Sequence, residues 1–221
     1  MPSRIGTQGD PSGKQVNLVD KFSICDIQEK FRSAIWEFPK VIATAQKMVK
    51  AAKILNTPIY TTTQSAAKLG TTVSELKDLL PESYSTEIDK TAFSMMVPDL
   101  TAQLTQQSSA SPAAAGKPHQ PVSAIIVGIE THICVTQTAL DLLSMGHRVY
   151  VLADGVSSCN SGERNVALAR LRAEGAVVTT SESLLYEMLG DAKDGNFKAI
   201  AGLVRETKEE TRLAVETFCK L

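Results

Sequence analysis

The sequence predicts an α/β domain whose mostly parallel sheet is covered by helices on both faces, and three observations carry that prediction. Short apolar runs alternate with helical patterns between residues 22 and 189, which is the rhythm of βα units. The chain is 221 residues long, enough to bury the core of one sizeable domain. Polar residues stand where several apolar runs end, and in an open parallel sheet those ends are where a site forms.

Strand candidates are 22–26, 58–63, 87–90, 124–128, 148–153 and 176–179. Helical patterns occupy about 31–54, 73–80, 98–106, 131–145, 162–174 and 183–189. Pro39 suits a first helical turn and not an interior, so the main helix of the first pattern begins after Trp36. Residues 196–221 read as one or two terminal helices, and their charged run Arg205 to Arg212 as a solvated face. Residues 107–119 are low in complexity and without periodicity, the pattern of a surface-loop insertion. The resulting organisation is a flexible N-terminal segment (1–15), one domain (16–205) interrupted at 107–119, and a C-terminal helix (206–221).

Composition excludes several function classes. Hydrophobic residues make up 43% and charged residues 21%, as in a soluble globular chain with a core. The net charge is −1 and Lys and Arg are scattered, so no basic face for nucleic acid is expected. No apolar run approaches the roughly 20 residues of a membrane span, and the first fifteen residues lack a signal-peptide core. Cys25, Cys134, Cys159 and Cys219 form no C-x-x-C pair, which predicts neither a zinc nor a disulfide framework and suits a reducing, cytoplasmic setting. The polar N-terminus leaves an organellar, for example mitochondrial, address open.

The most informative segment is Ser123 to Cys134, where a strand pattern runs through Gly128 into a helical one. Thr131 is placed to cap the helix 131–145, with Cys134 in its first turn. The positive end of a helix favours a thiolate, although most free cysteines are simply small buried hydrophobes. Asp26 ends the run from Phe22, and Lys90 ends Thr86-Glu-Ile-Asp-Lys90. A carboxylate beside a thiol accepts its proton, and a nearby ammonium stabilises the separated charges. Taken alone, Asp26 also reads as a cap for the stretch from Gln28, and Lys90 as a surface lysine.

Three ordered stretches, Cys25-Asp-Ile-Gln-Glu-Lys-Phe31, Lys90-Thr-Ala-Phe-Ser-Met95 and Gly128-Ile-Glu-Thr-His-Ile-Cys-Val135, resemble successive motifs of the isochorismatase-like cysteine hydrolases. The resemblance is closest to the branch called isochorismatase domain-containing proteins. It runs on through Thr138-Ala-Leu-Asp-Leu-Leu143, Ala153-Asp-Gly-Val-Ser-Ser158 and Ala167-Leu-Ala-Arg-Leu-Arg172 to Gly190-Asp-Ala192, covering about 19–204. It implies a three-layer α/β/α sandwich with a six-stranded, mostly parallel, Rossmann-like sheet. It also implies a triad of Asp26, Lys90 and Cys134, a cis peptide at Ile129–Glu130, and an oxyanion hole from the backbone N–H groups of Glu130 and Cys134. The implied reaction is thiolate attack on a small amide or related carbonyl compound through a thioester, rather than opening of a vinyl ether, which needs no thiol.

Pocket candidates are Phe93, Thr131, His132 and Gln64, while Met95 and Met96 read as core. The similar nicotinamidase branch carries an Asp and two His for metal on the loop after its second strand; here 61–70 holds neither histidine nor carboxylate. No metal and no cofactor are therefore expected, and His119, His132 and His147 lie far from ligand spacing. Gly155, Ser157 and Ser158 resemble a phosphate loop only loosely. Cys25 reads as a buried strand residue, and Cys159 and Cys219 as incidental. The expected partners are a small-molecule substrate and, through apolar helices, further copies of the chain in a homo-oligomer. The competing function class is a binding or regulatory protein that keeps the fold with little or no activity.

Overall fold

The computed structural model describes residues 7–9, 15–17, 19–81, 85–108 and 121–220. Six strands, β3 (Val19–Cys25), β4 (Ile59–Gln64), β5 (Ser85–Lys90), β6 (Val122–Ile129), β7 (Arg148–Ser157) and β8 (Val177–Thr179), form one sheet. Its order is β5-β4-β3-β6-β7-β8 with every neighbouring pair parallel. The central β6 is buried along its whole length, whereas the edge strands β5 and β8 are largely half-exposed. That gradient is what a sheet covered on both faces requires.

Side-chain alternation along each strand feeds two separate cores. Phe22, Ile24, Ile125, Val127, Tyr150 and Leu152 point to one side, where α1 (Phe38–Leu55), α7 (Ser181–Leu189), α8 (Phe197–Glu206) and α9 (Lys208–Phe218) supply Val41, Leu184, Ile200 and Ala214. Cys25, Ala124, Ile126, Val149 and Val151 point to the other, against Leu100 of α4 (Pro98–Ser108), Ala139 of α5 (Thr136–Ser144) and Leu168 of α6 (Ser161–Ala173). The result is the expected three-layer α/β/α sandwich. Two short helices, α2 (Ala66–Leu69) and α3 (Ser74–Lys77), fill the β4–β5 crossover. No helix among the described residues is long and apolar enough to cross a membrane.

Several local expectations change. The 31–54 pattern divides into a 3-10 turn, Glu29–Phe31, and α1, because Glu37 takes a left-handed conformation before the helix and Pro39 sits in its first turn. Within the predicted flexible segment, β1 (Thr7–Gly9) pairs antiparallel with β2 (Gln15–Asn17); residues 1–6 and 10–14 lie outside the described residues. So does the predicted insertion from residue 109 on, α4 running to Ser108. The run Arg205 to Arg212 is solvated as expected, but α9 also has a core face: Ala214 and Phe218 are core residues, and the buried Lys47 donates to Thr211 Oγ1 at 2.9 Å.

α9 is also held by Arg164, whose side chain is buried and, among the described residues, is bonded chiefly to backbone carbonyls. Its guanidinium donates to Val156 O at 3.0 Å, to Phe218 O at 2.7 Å and to Ala153 O, and lies 4.8 Å from the Phe218 ring centroid. Burial pushes this group down from its usual range.

The chain leaves β3 toward β4 and β5 on one side, then returns to β6 and continues to β7 and β8 on the other. The crevice at the carboxyl ends of β3 and β6 is thus the topological switch point, the place where open α/β sheets bind ligands. There the two strands approach so closely that a Cβ on Gly128 (φ +124°) would lie 2.1 Å from Cys25 O. We expect Gly128→Ala to destabilise the fold by at least about 2 kcal/mol, from an unsuitable φ and a backbone clash; a denaturant midpoint equal to wild type would refute this.

The loop that follows Asp26 is anchored by Arg32, which donates to Glu29 and, at 2.9 and 2.6 Å, to both oxygens of Glu75 on α3. These bonds hold the Glu75 carboxyl at about 2 instead of the usual 4.5. A depressed carboxyl pKa contributes stability above the unfolded value that is lost as pH falls through the folded one. Between pH 4.5 and about 2, Glu75→Gln should therefore lose stability less steeply than wild type. Because the pair is half-exposed, the difference is small; urea midpoints across that window test it, and parallel slopes would show the pair to be neutral.

Candidate active site

Asp26 is the first residue beyond β3, held at a left-handed φ of 53° that Asp tolerates better than most side chains. It does not cap the following turn; Gln28 occupies that position. Its carboxylate instead turns into the crevice, where Thr62 Oγ1 donates to Oδ1 at 2.7 Å and Lys90 Nζ to Oδ2 at 2.8 Å. Asp26 is 1% and Lys90 4% exposed, so the surface-lysine reading fails as well.

Strand spacing explains these residue types. β5 lies two strands from β3, about 10 Å away, so only a long side chain at the end of β5 reaches Asp26. The intervening β4 fills the gap with Thr62 and Gln64. Lys90 Nζ faces Asp26 Oδ2 and Gln64 Oε1 at 2.8 Å each, and the carbonyls of Ala92 and Phe93 at 3.1 Å each. An ammonium carries three protons, all of which these acceptors engage. The Gln64 amide is used at both ends, since Nε2 donates to Thr91 O at 2.8 Å. Its backbone is pinned in turn by Gln28, which accepts from Gln64 N at 2.7 Å and donates to Gly70 O at 2.6 Å.

Cys134 approaches from the β6 side, and the Ile129–Glu130 peptide before it is cis, as the resemblance implies. The helix expected at 131–145 begins as a π-helical turn, Thr131–Val135, before α5. Ile133 N and Val135 N both donate to Glu130 O, at 3.1 and 3.2 Å. This corrects the cap assignment: Thr131 is the first residue of the turn and fully buried, and its hydroxyl has no hydrogen-bond partner among the described residues. Glu130 holds the cap position, but its carboxylate accepts from Cys159 N at 2.8 Å and pushes the Cys159 thiol up. Wide turns of this kind are frequent at functional sites.

Cys25 Sγ, an Asp26 oxygen and Cys134 Sγ all lie within 4.8 Å of one another. Cys25 Sγ is 3.6 Å from Asp26 Oδ2. Burial, then a hydrogen bond with Cys134 and the charge of Asp26, pushes the Cys25 thiol well above its usual range. Two thiols and a carboxylate suit a soft cation such as Zn2+, yet the ammonium of Lys90 already holds that carboxylate and would face the ion.

Of the other pocket candidates, Phe93 is 52% exposed, and His132 Nδ1 meets Ser158 Oγ at 3.0 Å. Met95 is core, as expected. Sequence reasoning missed Thr62, Gln28 and Thr138. Thr138 Oγ1 donates to Cys134 O at 2.6 Å and accepts from Met95 N at 2.9 Å, tying the segment after Lys90 to the thiol's own turn. Only strand register and helical spacing could have signalled such residues: Thr62 pairs with Cys25, and Thr138 is one turn beyond Cys134.

The fold defines a class, that of the isochorismatase-like hydrolases. The family model described as the isochorismatase domain matches residues 22–183, and the chain belongs to the isochorismatase family. It is similar to isochorismatase domain-containing protein 2 of Xenopus laevis, 38% identical over 95% of this chain and 92% of that protein. It is 41% identical to the secreted isochorismatase effector Isc1 of Phytophthora sojae, over 83% of each chain. Among solved structures, that of the MAR1 ribonuclease from Caenorhabditis elegans superposes with a TM-score of 0.76 at 36% identity, covering 85% of this chain and 90% of that one.

Thr138→Val keeps the shape but leaves the buried Met95 N–H and Cys134 carbonyl without the hydroxyl. We expect a loss of about 1–3 kcal/mol in stability together with a changed alkylation rate at Cys134. A variant alkylating at the wild-type rate would show that the turn does not depend on this bridge.

Proposed function

We propose that the chain is a cysteine hydrolase of small amides or related carbonyl compounds, with Cys134 as nucleophile, Asp26 as proton acceptor and donor, and Lys90 as the group that fixes Asp26. The observation that carries this reading is a fully buried Asp26–Lys90 ion pair whose carboxylate lies within 4.8 Å of Cys134 Sγ. Burying an ion pair contributes little to stability and is often matched by apolar residues of the same volume. Its presence beside a thiol at the switch point is better accounted for by chemistry.

In this reading the substrate carbonyl carbon sits over Cys134. Asp26 takes the thiol proton as Sγ attacks, and gives it to the leaving amine when the C–N bond breaks. Water, deprotonated by the same carboxylate, then releases the acid from the thioester. The backbone N–H groups of Glu130 and Cys134 are the proposed donors to the oxyanion. Lys90, with its protons engaged by Asp26, Gln64 and two carbonyls, holds the carboxylate rather than contacting substrate.

The test is a screen of small aliphatic and aromatic amides, with acyl-enzyme followed by intact mass. Cys134→Ser and Asp26→Asn should each lower kcat/KM by about 10³-fold or more, and acyl mass should appear only when Cys134 is present. RNA, the substrate class in the name of the C. elegans relative, belongs in the same screen, although a net charge of −1 supplies little for a phosphate backbone. A folded protein that turns over none of these compounds, and whose Cys134 alkylates independently of Asp26, would move the reading to a binding protein.

A further inference from the structure

The hydrolytic scheme leaves one buried nucleophile unused. Cys25 is 0% exposed, is the last residue of β3, and faces the same helical layer as Cys134. Its sulfur is within 4.8 Å of Cys134 Sγ and 3.6 Å from Asp26 Oδ2. Packing alone would be met at this strand position by any small apolar side chain, whereas a second thiol against the reactive one has chemistry of its own.

We propose that Cys25 is the resolving partner of Cys134, closing a reversible Cys25–Cys134 disulfide after a hydroperoxide has oxidised Cys134. The proposal rests on Cys134 being the reactive thiol of the preceding section. In the first step the Cys134 thiolate attacks the distal oxygen of the hydroperoxide. The O–O bond breaks, an S–O bond forms, sulfur loses two electrons, and Asp26 passes the proton it took from the Cys134 thiol to the leaving alkoxide or hydroxide, which departs as alcohol or water. In the second step Cys25 sulfur attacks the Cys134 sulfenic acid; the S–S bond forms, the S–O bond breaks, and Asp26 passes the Cys25 proton to the departing hydroxide, which leaves as water. A dithiol then returns both thiols and becomes a disulfide itself.

Two features favour the second step. The two sulfurs already lie within 4.8 Å of one another, and Asp26 stands beside Cys25 to accept the proton of the attacking thiol. The sulfurs must still close to about 2.05 Å, a movement made within side chains and the turn that carries Cys134. The bond would occupy the nucleophile, so the oxidised protein hydrolyses nothing until reduced. It would also spare Cys134 from the irreversible sulfinic state.

The experiment treats the full-length protein with hydrogen peroxide, blocks remaining thiols with an alkylating agent, and reads peptides without reduction. Wild type should lose two hydrogens and yield a Cys25–Cys134 cross-linked peptide that dithiothreitol abolishes, while Cys159 and Cys219 stay alkylatable. Cys25→Ala and Cys25→Ser, checked for folding by thermal unfolding, should give no cross-link and drive Cys134 to a sulfinic acid that dithiothreitol does not repair. Wild type in which Cys134 becomes sulfinic while Cys25 remains a free thiol overturns the proposal and leaves the hydrolase reading intact. A cross-link that forms in a protein turning over no amide upholds the pair and removes the hydrolase. Cys134 inert to both peroxide and alkylation overturns both.

Discussion

A carboxylate and an ammonium can be buried together only if nearly every lone pair and proton finds a partner, and the Asp26–Lys90 pair imposes that condition on its surroundings. It fixes Thr62 and Gln64 on the strand between them, and the carbonyls of Ala92 and Phe93 beyond β5. Gln28 must in turn hold the backbone of Gln64. The segment after Lys90 is thereby brought to α5, where Met95 N meets Thr138 and Thr138 meets the carbonyl of Cys134. One electrostatic constraint thus organises residues from β3, β4, β5 and α5.

The sheet supplies the other half of the arrangement. Its reversal of direction between β3 and β6 opens a crevice at their carboxyl ends, and the close approach at Gly128 sets how near the two ends come. Asp26 and Cys134 enter from opposite sides of that reversal, so neither needs a long side chain. Lys90, two strands away, does.

How much of this is legible in the sequence follows from the range of the interactions. Asp26 and Lys90 end strand patterns, Cys134 stands in the first turn after another, and their motifs follow one another in order, so local reading finds them. Thr62 and Gln28 are found only by lateral register and loop contacts across 36 residues or more. The hairpin of β1 and β2 has three-residue strands, too short for a periodicity to register. The π-helical turn misleads for a related reason: Thr131 beside an apolar helical pattern looks like a cap, but a five-residue turn begins one position earlier and buries it. Cys25 looks like packing because its neighbour Cys134 is more than a hundred residues away in the chain.

Arg164 shows how far this economy of partners reaches. Its guanidinium has the carbonyl of Phe218 and the ring of the same residue as neighbours, and carbonyls of β7 on its other side. The end of α9 is therefore a wall of the domain, not an appendage to it. Shortening the chain before Phe218 would open a channel of solvent onto a charge that the interior now solvates, and would loosen β7 where it runs up to Ser158 and His132. A few residues at the far end of the chain would then be felt beside the thiol.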